Sequence, residues 1–191
     1  MTIILIILGV VILWFVLSYN GFVTIKNRVA EAWADIEVQL KRRYDLIPNL
    51  VNTIKGSTSF EQNTLTAVVE ARAKATSIQI DPTKVDATTM QKLSAAQGEL
   101  STALGRLLVV SEQYPDLKSN ANFLSLQSEL SDTENKIQAA RRFYNGNVRD
   151  YNTKLQVFPS NMIAKMFGFT KSDFFDIDDN GVESKPVEVK F

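Results

Sequence analysis

The chain has 191 residues, of which 21 are basic and 21 acidic, and 45% are hydrophobic, which suits one domain with short appendages. Its net charge of zero argues against a dedicated nucleic-acid-binding protein, which would carry a basic excess. The sequence contains neither cysteine nor histidine, which excludes disulfides, thiolate chemistry, histidine acid–base catalysis and the common zinc sites.

The first 25 residues carry no charged side chain. Their apolar run IILIILGVVILWFVL, with its flanks, reaches the roughly 20 residues that cross a hydrocarbon core of about 30 Å. A cleaved signal peptide is the alternative, but the stretch lacks a basic start and a small-x-small cleavage site. We therefore predict an uncleaved membrane anchor. Its representative residues are Ile3, Leu8, Trp14, Leu17 and Tyr19.

The charges that flank this anchor predict its orientation. No lysine or arginine precedes it, whereas Lys26 and Arg28 follow it closely. By the positive-inside rule, the carboxyl-terminal domain lies in the cytoplasm. We expect a single-pass protein of the inner (cell) membrane, with the lipid bilayer as its first partner.

A long helix is predicted to continue from the anchor to about Lys55. Apolar residues recur at alternating steps of three and four, which is typical of a helix that buries one stripe against a partner. Only Lys26 and Arg43 interrupt these rows with a charge. The two rows are Phe22, Val29, Ile36 and Leu50, and Trp33, Leu40, Ile47 and Ile54.

Three further helices are predicted from apolar repeats and from stop signals. Gly56 ends the first helix, the Asp81–Pro82 pair interrupts the next pattern, and Pro115 and Pro159 end the later ones. The predicted bounds are about 59–77, 89–114 and 120–158.

Three stretches of the sequence resemble the LemA family of bacterial membrane-anchored proteins. They are EAWADIEVQLKRRYDLIPNLVNTIKG, YPDLKSNANFLSLQSELSDTENKIQAARRFYN and YNTKLQVFPSNMIAKMFGF. The resemblance runs from about Tyr19 to Phe169 and implies one membrane span followed by an elongated helical bundle. It implies no reaction, although some members of the family are linked to membrane organisation.

The predicted fold is all-α: a single N-terminal transmembrane helix followed by an elongated antiparallel four-helix bundle with long first and last helices. Four regions follow from this division. They are a transmembrane anchor (1–25), a helical bundle (26–158), a short amphipathic segment (159–169) and an acidic flexible tail (170–191).

Arg43 is the charged residue that most needs a partner, because it occupies an otherwise apolar row. If the first and last long helices are antiparallel with Phe22 beside Phe158, Arg43 lies within one turn of Glu134. We therefore predict an Arg43–Glu134 contact. Arg43, Asp45, Glu134 and Arg141 are expected to form structural ion pairs rather than a catalytic group, since no nucleophile or metal cluster accompanies them.

The run DIDDNG at residues 176–181 resembles the start of an EF-hand calcium loop. The twelfth position of such a loop needs a bidentate glutamate, and here it is Val187. We expect a solvated acidic tail, and whether it binds calcium stays open. No other cofactor or metal site is expected.

Unequal helix lengths predict an association surface next to the membrane. The second helix is too short to return along the whole first helix, so a stalk of two helices would expose apolar side chains there. We expect copies to pack through this stalk into a homo-oligomer of closed symmetry. The stalk residues are Phe22, Val29, Trp33, Tyr151, Leu155 and Phe158.

The short segment after Pro159 returns to the same end of the protein. Met162, Ile163, Met166 and Phe167 share one side of it, so we expect them either to enter the membrane interface or to cover the base of the bundle.

These features favour a non-enzymatic scaffold or adaptor that self-associates and organises partners or membrane at the bilayer surface. The alternative is a membrane-tethered module that senses a ligand between its helices; a buried polar cavity would favour it. A carboxylate-dependent hydrolase is the weaker alternative, since the acidic residues are spread over exposed helical faces. No nucleic-acid partner is expected, and any partner protein is unidentified.

Overall fold

The computed structural model describes residues 1–56, 61–80 and 87–175. Every regular element in these ranges is a helix, which confirms the all-α prediction. The elements are α1 (Thr2–Lys55), α2 (Gln62–Thr76), α3 (Ala87–Ser111), α4 (Pro115–Lys118), α5 (Ala121–Gln156) and α6 (Ser160–Met166). The short α4, which begins at Pro115, was not predicted.

Helix α1 combines two kinds of surface in one uninterrupted element. Its 54 residues extend for roughly 80 Å at the usual rise of a helix. The side chains of residues 2–13 are exposed on every side, whereas the predicted apolar stripe from Phe22 to Ile54 is buried. Pro48 lies inside the helix without ending it.

Helix α5 lies antiparallel to α1 along most of its length. Three contacts place the two helices: Phe22 lies beside Lys154, Trp33 beside Tyr144, and Arg43 beside Glu134. Residues further along α1 therefore contact residues earlier in α5, as expected for antiparallel helices. The helix begins with a side-chain cap, since Asn120 Oδ1 accepts hydrogen bonds from the backbone N–H groups of the second and third residues after it.

The part of the protein far from the N-terminus, which we call the distal core, is mainly aliphatic. Helices α2 and α3 pack against each other and cover the last turns of α1. The short α4 adds Leu117, which is also buried. The main distal core residues are Ile47, Leu50, Ile54, Leu65, Val68, Leu100, Leu104, Leu107, Leu117, Phe123 and Leu130.

The proximal core, nearer the N-terminal end of α1, is rich in aromatic side chains. It gathers residues from α1 and α5, and also Met90 and Leu93 from the start of α3 and Ile163 from α6. Its aromatic members are Phe22, Trp33, Tyr144, Tyr151 and Phe175. Phe175 comes from beyond the last helix, so the proximal core is completed by the end of the described chain.

Candidate functional site

A buried arginine joins three helices at the boundary between the two cores. Arg43 of α1 is only 4% exposed, and its Nη1 lies 3.2 Å from Oε2 of Glu134 on α5. Its Nη2 donates to Oγ of Ser101 on α3 at 2.7 Å, and Nη1 donates to Oε1 of Gln97 at 3.5 Å. Gln97 in turn donates to the hydroxyl of Tyr44. These five residues are called the arginine cluster below.

The electrostatics of the arginine cluster follow from burial. Loss of water lowers the pKa of the Arg43 guanidinium, and the nearby Glu134 carboxylate opposes this effect. Arginine nevertheless stays charged in proteins. A buried guanidinium is stable only if its donors are satisfied, so this cluster fixes the relative positions of α1, α3 and α5.

The structure brings Arg43 and Glu134 together but does not add Asp45 or Arg141 to their ion pair, and that part of the prediction is wrong. Asp45 lies two residues further along α1, about 200° around the helix, and is exposed. The guanidinium of Arg141 instead lies over the ring of Phe175, 5.2 Å from its centroid. Its buried Nε has no hydrogen-bond partner among the described residues.

The chain reverses direction after α6 at Gly168, which has a φ of +68°. The N–H of Phe169 donates to the carbonyl of Ala164 at 2.9 Å, and the N–H of Gly168 donates to that of Lys165 at 3.4 Å. This pair of bonds is the Schellman arrangement, which needs a left-handed residue at the position of Gly168. Residues 169–175, called the C-terminal segment below, then run back along α1 and α5.

Two asparagines of α5 hold the backbone of the C-terminal segment. The side-chain Nδ2 of Asn152 donates to the carbonyl of Ser172 at 2.8 Å, and its Oδ1 accepts from the N–H of Ser172 at 3.0 Å. The Asn145 amide makes the same pair of bonds with Phe175, at 3.0 and 2.9 Å. Each side chain thus satisfies both polar groups of one residue, as a neighbouring strand would.

The hydroxyl of Tyr144, the residue before Asn145, donates to the carbonyl of Asp173 at 3.0 Å. Burial raises the pKa of Tyr144 to about 12, with a smaller contribution from the Asp173 carboxylate. The C-terminal segment is therefore fastened at three of its residues by polar side chains of one helix face.

Aromatic contacts complete the attachment of the C-terminal segment. Phe169 stacks on Phe22, with ring centroids 5.0 Å apart and planes inclined by 20°. Phe175 meets the edge of Trp33 at 5.7 Å, and Trp33 meets Tyr144 at 5.4 Å.

The predicted exposed stalk is consequently wrong for most of its residues. Phe22, Val29, Trp33 and Tyr151 are buried within one copy, and Leu155 is partly buried against the same core. The cause is the C-terminal segment together with α6, which cover the side of α1 and α5 that two helices alone would leave open. Of the predicted stalk residues only Phe158 is exposed, at 79%.

The prediction of a flexible tail over 170–191 is also wrong for residues 170–175, which belong to the C-terminal segment. Lack of helical periodicity there reflects an extended chain held by asparagines rather than absence of structure. The DIDDNG run at residues 176–181 lies outside the described residues.

The predicted residues of the short segment after Pro159 differ in exposure. Ile163 is buried in the proximal core, whereas Met162, Met166 and Phe167 are exposed. Phe167 is also in contact with α1, its ring lying 5.8 Å from Phe15 and 4.6 Å from Tyr19.

The predicted anchor residues occupy the exposed part of α1 and its edge. Ile3, Leu8 and Leu17 are exposed, and Tyr19 is at the limit between exposed and half-buried. Trp14 is half-buried and packs against the proximal core. The last turns of the apolar stretch thus contact protein on one side.

Over the described residues these features define a class before any comparison: an all-helical protein with one candidate membrane span. Among the described residues, α1 is the helix that is long and apolar enough to cross a membrane. The chain belongs to the LemA family, whose sequence profile matches residues 32–191.

The similar proteins reported below are named either LemA or MamQ. Protein LemA of Metamycoplasma hominis is 28% identical over 76% of this chain and 63% of its own length. Magnetosome protein MamQ 2 of Paramagnetospirillum magneticum is 26% identical over 83% of this chain and 65% of its own. MamQ of Magnetospirillum gryphiswaldense is 25% identical with the same coverage. The chain spans somewhat less than two thirds of these relatives, and none of the names denotes an enzyme.

The C-terminal segment was not predicted from the sequence as a structural part of the site. Two signals were available: Gly168 directly after an apolar helical run, and three phenylalanines at 169, 174 and 175 in a stretch expected to be solvated. The asparagines of α5 carried no such signal, because a polar residue inside a helix is ordinarily solvated.

Proposed function

We propose that this protein is a non-enzymatic, membrane-anchored scaffold or adaptor. It holds a rigid helical rod at the bilayer surface, self-associates in the plane of the membrane and presents its distal helices, arranged as an antiparallel four-helix bundle, to partner proteins. One observation carries the proposal: α1 contains both the exposed apolar stretch and the buried stripe of both cores. Because no loop separates these parts, the orientation of the anchor sets the orientation of the domain.

The chemistry of the arginine cluster supports a structural role. Glu134, which a hydrolase would use as a base, is engaged with Arg43, and Arg43 also donates to Gln97 and Ser101. Relatives named for a magnetosome rather than for a reaction support an organising role as well.

The proposed location is the inner (cell) membrane, with the helical domain in the cytoplasm. The support is the charge distribution, since the first basic residues, Lys26 and Arg28, follow the apolar stretch. Labelling of a cysteine at Lys26 in intact cells and in lysed cells tests the orientation: only lysis should expose it to an impermeant reagent. Labelling in intact cells would show that the helical domain lies on the opposite side of the membrane.

A ligand-sensing module is the second candidate function, and the buried polar groups of the arginine cluster favour it. It predicts that a small polar molecule changes the environment of Tyr44, whose pKa burial already raises. The scaffold proposal predicts no such ligand. Fluorescence of Tyr44 in a ligand screen would distinguish the two, using Tyr44→Phe as the blank.

Self-association is tested by crosslinking the full-length protein in native membranes. The chain contains no cysteine, so Lys26→Cys reports on the exposed surface next to the anchor and Val109→Cys on the exposed distal surface. We expect disulfide-linked dimers at position 26 and none at position 109. Monomers at both positions, at native expression, would contradict self-association through the anchor.

A further inference from the structure

We propose that α6 is a second membrane contact, lying at the boundary between headgroups and acyl chains in the leaflet from which α1 emerges. The inference rests on the membrane anchor of the proposed function and is independent of self-association. The proposed occupant of its exposed apolar surface is lipid, and the experiment below distinguishes lipid from a second copy.

The first observation is the depth at which α6 touches α1. Phe167, at the end of α6, contacts Phe15 and Tyr19, and Trp14 also packs against the proximal core. If α6 stood in water, these α1 residues would also lie above the hydrocarbon. The aqueous boundary would then fall below Phe15, well inside the uncharged stretch that ends at Ile25, and it would leave the exposed Val16 and Leu17 in water as well.

The uncharged stretch of α1 therefore favours the deeper position. The first charged side chain of α1 is that of Lys26, so the hydrocarbon boundary can lie close below it. Phe15 lies about 16 Å before Lys26 along the helix axis, and Tyr19 about 10 Å before it. Phe167 is at the same depth because its ring contacts both of these rings.

The second observation is the exposed apolar surface around α6. Most soluble proteins do not expose neighbouring large apolar side chains of this kind. Two of the residues precede the helix, two lie on it, and one ends it. They are Val157 (48% exposed), Phe158 (79%), Met162 (59%), Met166 (66%) and Phe167 (46%). Ile163 of the same helix is buried in the proximal core, so α6 is fixed to protein by one side chain while its other large apolar side chains stay uncovered.

The third observation is charge. Residues 151–172 contain no aspartate or glutamate but include Lys154, Lys165 and Lys171, and Lys26 and Arg28 of α1 lie at the same end. The ammonium of Lys154 lies over the ring of Phe22, close enough to Gly21 that a Cβ there would collide with it. Basic side chains around an apolar surface match anionic headgroups, and their long stems reach the aqueous boundary from below it.

A contact at two places has a structural consequence. The single helix α1 would leave the domain free to rotate about its axis. Helix α6 is joined to α5 through Pro159 and to the C-terminal segment through Gly168. As a second element in the interface, it sets which face of the rod points away from the bilayer.

The test uses full-length single-cysteine variants in nanodiscs of phosphatidylcholine and phosphatidylglycerol, each carrying an NBD label. Met166→Cys reports on the proposed contact. Val109→Cys is the matched control, because Val109 is 69% exposed and Met166 66% exposed in the free molecule. Leu13→Cys marks the bilayer interior.

We expect lipids that carry a spin label near the headgroup to quench the label at position 166 several-fold more than that at position 109. Equal quenching at the two positions would overturn the proposal. A blue-shifted but unquenched label at position 166 would also overturn it and would identify protein, such as a second copy, as the occupant.

One further variant separates the role of α6 from that of α1. Met162→Asp should reduce quenching at position 166, because a carboxylate on the outer face disfavours insertion, whereas Val109→Asp should leave it unchanged. Unchanged quenching in Met162→Asp would overturn the role of α6. The crosslinking at Lys26 does not depend on these results. Self-association and the membrane contact of α6 can therefore fail independently.

Discussion

The proximal and distal cores are built on the same two rows of α1 but are closed in different ways. Around the distal core, helices α2 and α3 supply aliphatic side chains in regular repeats. Around the proximal core, an extended segment supplies Phe169 and Phe175, and asparagines rather than a helical stripe hold it in place. A long helix thus does not need the same partner along its whole length.

The boundary between these regions is polar. Arg43 lies where the aromatic core gives way to the aliphatic one, and it connects to α3 and α5 through directed bonds. Apolar contacts alone tolerate a helix that slides by one turn, but a buried guanidinium with three partners does not. The difference between the regions leads to five predictions.

The largest effect should come from truncating the proximal core. Trp33→Ala removes a side chain that is 1% exposed and contacts both Tyr144 and Phe175. We expect a loss of about 3–5 kcal/mol in the free energy of unfolding, since a cavity of this size collapses only in part. Urea unfolding of the detergent-solubilised protein measures it, with Val109→Ala as the exposed control. A similar small change in both variants would mean that the proximal core is loosely packed.

Disruption of the polar boundary should rank next. Arg43→Ala leaves Glu134 and Gln97 without their partner and opens space, so we expect a loss of about 2–4 kcal/mol. Glu134→Gln should cost less, about 1–2 kcal/mol, because Glu134 is 36% exposed and the bond from Arg43 to Ser101 remains. Equal losses in the two variants would show that the ion pair, not the buried arginine, stabilises the boundary.

The proximal region should also be the part that weakens in alkali. Burial raises the pKa of Tyr144 from 10.0 to about 12. Above pH 10 the unfolded chain releases this proton first, so stability falls as pH rises towards 12, by roughly 1–3 kcal/mol. Unfolding midpoints from pH 8 upwards measure the fall, and Tyr144→Phe should flatten it. A slope that persists unchanged in Tyr144→Phe would assign it to other tyrosines.

The asparagine contacts can be removed without touching the aromatic core. Asn145→Ala removes both bonds to Phe175, and we expect a loss of about 1–2 kcal/mol. Hydrogen exchange of the Phe175 amide should accelerate, while the distal amides keep their protection. Asn147→Ala is the matched control, since among the described residues its side-chain amide donates to the carbonyl of Phe143 within α5. Acceleration in the control as well would mean that α5 itself frays.

The smallest effect belongs to the distal surface. Lys74 of α2 and Glu99 of α3 form an exposed ion pair with an N–O distance of 2.6 Å. Because both side chains are more than half exposed, Lys74→Ala should change stability by less than about 1 kcal/mol. Unfolding at low and high salt measures the pair, and a large salt-sensitive loss would show that charges rather than aliphatic packing hold α2 on α3.

Prediction from the sequence worked best where one local period determined the outcome. The rows of α1, its end at Gly56, and the antiparallel neighbour that brings Glu134 to Arg43 all follow from spacing and from side chains that stop a helix. Prediction failed at Asp45 and Arg141 because a list of nearby charges does not specify which face of a helix each occupies.

The sequence by itself determined the long first helix, its apolar start and the stripe that needs a partner, because helical periodicity is a property of neighbouring residues. Only the tertiary structure decided what covers that stripe near the N-terminus. Phe22 and Phe169, or Asn145 and Phe175, meet through chain reversal at Gly168, and no repeat in the sequence relates them. The stalk that local reasoning left exposed is therefore buried, since a non-periodic segment can cover a surface as well as a helix can.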